Sequence, residues 1–354
     1  MDTVKKYLNR VFIDGLSGMA LGLFGTLIIG TIIQQIGSMV GGMIGDYLYA
    51  MGRIACLLTG AGIGVGMAYK FKEAPLVVIS SATAGMVGAY ASKLIAGTVI
   101  VESGLSITPP GEPLGAFIAA YIAIEVGHVV SGKTKVDILV TPFLSIISGS
   151  TIGLLIGPPI SSFMKAIGEL INWGTLQQPF LMGIIVSVLM GMILTLPISS
   201  AALSIMLGLS GIASGAATVG CCANMIGFAV ASYRENKVSG LLAQGIGTSM
   251  LQVPNIVKKP IIWLPAIISS AILGPLSTMV FGMENNAQGG GMGTSGLVGQ
   301  INTYTTMVAN ESGTIVLLKI ILLHFILPAI LAFICSEIMR KKGLIASGDM
   351  KLEV

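Results

Sequence analysis

Polar side chains able to grip a small molecule are few in this sequence, and they fall in short stretches. The densest is Glu284-Asn285-Asn286-Ala287-Gln288, which runs straight into Gly289-Gly290-Gly291-Met292-Gly293-Thr294-Ser295-Gly296. A carboxylate beside amides offers acceptors and donors together, the set that a hydroxyl-rich ligand needs; a solvated outer loop would have the same composition. Thr248, Ser249, Gln252 and Asn255 form a second stretch, where Pro254 and Pro260 break any helix. These two stretches flank one apolar run from Ile261 to Met283. A third, Pro197-Ile198-Ser199-Ser200, interrupts another apolar run and offers two hydroxyls, which back-bonding to helix carbonyls would explain nearly as well. Glu125 and His128, three residues apart, share a helix face where they could hydrogen-bond or relay a proton. They also stand near the end of their apolar run, where a pair snorkelling to the interface would stand too.

Other chemistries lack their residues. Gly289 to Gly296 is no phosphate-binding loop, because no strand precedes it and no Gly-Lys-Ser/Thr is present. The sequence has no Ser/His/Asp set, metal cluster or nucleotide motif, so neither catalytic residue, metal nor cofactor is expected. Cys56, Cys221, Cys222 and Cys335 all lie in apolar segments without ligand spacing and read as small buried hydrophobes. The net charge of +4 comes from basic residues scattered beside apolar runs, which does not point to nucleic acid.

The elements that must position these residues are membrane helices. With 54% hydrophobic and only 10% charged residues among 354, a soluble domain is excluded and a polytopic membrane protein is expected, in contact with the lipid bilayer. The spans use up nearly the whole chain, leaving no room for a soluble catalytic domain. The 48 glycines suit helices packed backbone to backbone in lipid. The N-terminal stretch has basic residues ahead of an apolar run but no small-residue cleavage pattern, which reads as a retained first span.

At roughly 20 residues per span, the apolar runs are Leu16–Met39, Leu48–Tyr69, Leu76–Thr98, Leu114–Val130, Ile138–Ile156 and Phe180–Leu196. Two short segments follow, Ala201–Ala216 and Val219–Ser232, then Ile261–Met283 and Gly313–Ile338. A polar turn is expected at Asp46, and Pro158-Pro159 should close the fifth run. From Ile160 to Trp173 the pattern is amphipathic and suggests a helix lying on the membrane surface. Ten spans with both termini cytoplasmic put all of the 19 Lys and Arg residues inside except Arg53, Lys93, Lys165 and Lys319, as the positive-inside rule requires. A re-entrant hairpin could replace the two short segments before Ser232. Irregular backbone cannot face lipid, so the polar stretches either lie outside the bilayer or line a cavity within the protein.

Three regions carry a resemblance. Pro113-Leu114-Gly115-Ala116-Phe117-Ile118-Ala119-Ala120-Tyr121 looks like a "PLGTFFAG" span start. Ile156-Gly157-Pro158-Pro159-Ile160 is similar to "IGPPIA", again followed by an amphipathic helix with a Trp. Gly245 to Gly299 is similar to a "GISEGAIPFAAADP … SMLFGVTSPVPHGG" region. Together these resemble the membrane-embedded IIC component of the bacterial sugar phosphotransferase system, most of all its fructose-type group, over about Leu114 to Gly296.

The resemblance implies an all-α homodimeric carrier of the bacterial plasma membrane with two re-entrant hairpins. Residues 1–159 would form the dimerisation half, 160–178 the interfacial helix, 179–338 the substrate-binding half and 339–354 a cytoplasmic tail. The ligand would be small and sugar-like, and its phosphorylation would fall to a separate IIB protein. This sequence departs from the pattern in telling places. Pro254 matches the family proline, but the acidic residue falls on Met250, the histidine falls near Gln288, and "GGPVNKAA" becomes Leu196-Pro197-Ile198-Ser199-Ser200-Ala201-Ala202. Glu284 is the nearest replacement carboxylate. The expected function is therefore a IIC-type carrier, with a IIC-derived membrane sensor or non-phosphorylating facilitator as the alternative; a channel ranks third, because the spans lack rings of charge.

Overall fold

The computed structural model describes residues 7, 9–101, 104–107 and 111–352. The chain divides into two compact units between Lys165 and Ala166.

In the first unit, helix α1 runs over Arg10–Val40. The chain then turns at Gly41 and Gly42, whose φ angles of 65° and 61° are open to glycine and strained for other residues. That is why the turn falls there and not at Asp46, which lies inside α2 (Gly42–Leu57). Gly30 and Gly37 of α1 face Gly52 and Gly45 of α2 at backbone contact. The chain bends by 55° between α2 and α3 (Thr59–Lys70), and α3 packs on α1 and on α4 (Pro75–Ala89).

The run expected to reach Thr98 as one helix breaks at Tyr90. Beyond it lie a short α5 (Ala91–Ile95) and a two-residue antiparallel ladder, β1 (Ile100–Val101) with β2 (Gly104–Leu105). Helix α6 (Pro113–Val130) follows the apolar run closely, with proline in the first turn where its missing N–H costs nothing.

Helix α7 (Asp137–Thr175) corrects the reading of the fifth run. It continues for 39 residues through Pro142, Pro158 and Pro159, so the amphipathic stretch from Ile160 is its continuation and not a separate element. Each proline removes one ladder donor, yet its fixed φ is itself helical. In apolar surroundings the remaining backbone has no better partner than the helix.

The second unit contains α8 (Pro179–Thr195), α9 (Ser200–Met206), α10 (Gly211–Ala231), α11 (Tyr233–Leu242), α12 (Val253–Lys258), α13 (Pro260–Val280), α14 (Val298–Met307) and α15 (Gly313–Lys341). Helix α10, rich in Gly and Ala, sits at the centre, packed by α8, α13 and α15. Its Asn224 is the hub of a buried polar network. Trp263 Nε1 donates to Asn224 Oδ1 at 2.8 Å, and Asn224 Nδ2 donates to Ser270 Oγ at 3.1 Å.

Among the described residues, six helices are long and apolar enough to cross a membrane, or seven if α2 and α3 form one broken span. Helices α4 and α8 are shorter apolar candidates. The seventh expected span is not one: α9 has seven residues, which reach roughly 10 Å and cannot cross a bilayer. The protein is an all-α polytopic membrane protein.

Candidate functional site

Helix α13 separates the two densest polar stretches. Its 21 residues put its ends roughly 30 Å apart. Nevertheless Thr294 Oγ1, beyond its far end, donates to the carbonyl oxygen of Gly245, before its near end, at 2.5 Å. The chain must therefore fold back along the helix on one or both sides. The third stretch joins them, since Ser200 Oγ donates to the carbonyl oxygen of Gly291 at 2.6 Å. In the second unit the Ser199-Ser200 stretch and the segment just before Thr248 thus both meet the glycine loop, residues 284–296, through Ser200 and Gly245.

Glycine makes this convergence possible. A side chain at Gly291 would run into the backbone of Ser200, and one at Gly290 into the hydroxyls of Ser204 and Ser214. The loop also bonds to α10: Asn285 N donates to the Gly211 carbonyl at 3.2 Å, and Ser214 Oγ to the Asn286 carbonyl at 2.7 Å.

Most of the polar atoms are already committed. Asn285 Nδ2 donates to Thr218 Oγ1 at 2.7 Å and to the Gly299 carbonyl at 3.1 Å, while its Oδ1 accepts from Asn286 N. Asn286 Oδ1 accepts from the N–H groups of Gln288 and Gly289, both at 3.0 Å, and its Nδ2 donates to Asn302 Oδ1. These two asparagines are the loop's internal scaffold.

Ser199 Oγ caps α9 by accepting from Ala202 N, and Thr248 Oγ1 accepts from Met250 N. Ser249 is fully buried and shares a hydrogen bond of 2.8 Å with Thr195. Gln252 and Asn255 donate their amides to the carbonyls of Met350 and Lys351 at 3.0 and 2.9 Å.

What is left uncommitted is a short set. Glu284 is half-buried, and among the described residues its carboxylate has no hydrogen-bond partner. Gln288 is exposed. The buried hydroxyls of Ser295 and Ser204 are unpartnered.

The sequence profile of the family described as "Phosphotransferase system, EIIC" matches residues 13–352, nearly the whole chain. The chain belongs to the phosphotransferase system EIIC family. This EIIC protein is an integral component of the bacterial plasma membrane and of the sugar-transporting machinery of that system. No curated protein gave a match to the chain.

The EIIC chain carries site residues that the sequence reading missed. Ser204, one turn after Ser200, faces the glycine loop, as do Ser214 and Thr218 from α10. The spacing of four within each pair was the available signal. Thr218 Oγ1 donates back to the Ser214 carbonyl at 2.8 Å and accepts from Asn285.

In the first unit, Glu125 and His128 do not bond to each other. Arg10 Nε donates to Glu125 at 2.9 Å and Arg10 Nη2 to Glu73 at 2.9 Å, and His128 Nδ1 lies 3.0 Å from Glu73. The Arg10 guanidinium also stands over the Phe71 ring, 4.2 Å from its centroid. Glu73 is the link that spacing along α6 could not reveal. Among the described residues no group of three metal-ligating side chains occurs.

Proposed function

We propose that this EIIC protein is a carrier that takes a small, hydroxyl-rich solute, a sugar by the chemistry of the site, at the glycine loop. Glu284 would be the acceptor that grips two ligand hydroxyls, with Gln288 as donor and Ser295 and Ser204 completing the shell. The observation that carries the reading is the uncommitted, half-buried Glu284 carboxylate in a loop whose neighbouring polar atoms are spent on one another. Unpaired carboxylates in such positions are expensive unless a ligand uses them. In this proposal the protein works as a homodimer with both termini in the cytoplasm. Movement of the substrate-binding half carries the solute across, and a separate IIB protein supplies phosphate.

One observation favours a second reading. Met250, where the resemblance puts the family's acidic residue, is buried at 8% exposure. A IIC-derived sensor or facilitator that never phosphorylates its ligand would need no carboxylate there.

The test is thermal stabilisation of the purified protein by a panel of sugars, polyols and sugar phosphates, with Glu284→Gln alongside. A sugar at a hundred times its dissociation constant should stabilise by about 2.7 kcal/mol, and the variant should lose the shift. Stabilisation by apolar compounds only would overturn the sugar reading. In vesicles, uptake coupled to phosphorylation by added IIB supports the carrier, whereas flux or binding without phosphorylation supports the second reading.

A further inference from the structure

The residues after α15 leave the helix at Gly343, where φ is 71°. They do not trail away: Ile345 is buried at 2% exposure and Met350 at 0%, within a core cluster that includes Phe228, Ile262, Trp263 and Met339. Their backbone is held by three side-chain amides. Asn236 Nδ2 donates to the Met350 carbonyl at 2.8 Å while its Oδ1 accepts from Leu352 N at 2.9 Å; Gln252 Nε2 also donates to the Met350 carbonyl, and Asn255 Nδ2 to the Lys351 carbonyl. At the rim, Lys259 Nζ pairs with Asp349 Oδ2 at 2.6 Å. Three amides donating to peptide carbonyls, one of them also accepting from a peptide N–H, recognise backbone, with Ile345 and Met350 as the apolar anchors.

A chain of bonds leads from this segment to the glycine loop. Gln252, which holds the Met350 carbonyl, also donates to Gln244 Oε1 at 2.9 Å. Gln244 is buried and bonded in turn to Ser232 Oγ and to the Gly240 carbonyl. The next residue is Gly245, whose carbonyl receives Thr294 of the glycine loop.

We propose that Asn236, Gln252 and Asn255 form a docking site for a peptide backbone, occupied by the chain's own segment 343–352, and that this segment is a latch. Docked, it fixes residues 243–252 and through them holds the glycine loop in the conformation described. Released, it frees both. The latch gives the protein a handle by which a cytoplasmic partner binding the tail would alter the loop. The inference stands on the bonds themselves and does not depend on the identity of the solute or on transport.

Hydrogen–deuterium exchange on the full chain, without ligand, tests it. Lys259→Asp and Asp349→Lys should each raise exchange in 343–352, in 243–252 and in 284–296 by about three- to fivefold, the scale of a partly exposed ion pair. The double reversal restores the ion pair but not the bond from the Ala346 N–H to Asp349, and should recover part of the protection in all three. Helix α4, in the other unit, should stay unchanged and serves as the control for folding. A rise confined to 343–352 overturns the proposal. A second variant, Met350→Asn, attacks an anchor and not the rim: a freely exchanging tail with a fully protected glycine loop overturns the latch, and so does a tail that stays protected.

Discussion

Glu73 has two partners of very different exposure, and the difference decides what each is worth. Its own side chain is 5% exposed, that of Arg10 29% and that of His128 61%. Arg10→Met would strand a buried carboxylate and should cost about 3 kcal/mol in thermal unfolding, whereas His128→Ala removes a solvent-screened pair and should cost less than about 1 kcal/mol. Equal costs would show that the cluster behaves as a surface network. Glycine supplies the companion case. Gly291→Ala drives a methyl group into the Ser200 backbone and should destabilise by about 1–3 kcal/mol through overpacking. Gly25→Ala, with nothing near the new atom, should be neutral or stabilising, since alanine favours the helix.

Among the elements, apolar runs were read well where a helix starts at a proline and ends with its hydrophobic residues, as α6 and α8 do. They were read badly where backbone conformation decided the boundary. Gly41-Gly42 outweighed Asp46 as the turn because a positive φ matters more than a lone charge. Pro158-Pro159 did not stop α7, because a helix in apolar surroundings has nowhere else to spend its hydrogen bonds. The polar stretches were legible as places, since composition marks them. Which of their side chains stay uncommitted was not legible, because that depends on partners such as Gly245, Thr218 and Met350 that are distant in sequence.

The docked tail adds a prediction at this scale. Burial works to raise the Asp349 carboxyl, but it is outweighed by the bond from Lys259, the Ala346 N–H and the charges of Lys259 and Arg340, so it is held below the ordinary aspartate range. A depressed value means stability that is present above the ordinary pKa and lost as pH falls through the lowered one. Protection of 343–352 should therefore persist at neutral pH and decline only in strong acid, and Asp349→Asn should flatten that part of the profile.

At the scale of the molecule, each unit is held by its own packing, the first by glycine-lined helix contacts and the second by a helix that its neighbours almost enclose. Membership of the EIIC family accounts for this investment in apolar surface and small residues. The placement of Trp263 has an optical consequence. The chain has two tryptophans; Trp173 is 54% exposed, while Trp263 is 9% exposed and hydrogen-bonded to Asn224 in the cluster that receives Met350. With Trp173 replaced by phenylalanine, the one remaining indole would sit against the docked tail, its emission blue while the tail is seated and red when water replaces it. The protein would then carry its own fluorescent indicator, readable in a stopped-flow cell without any attached dye.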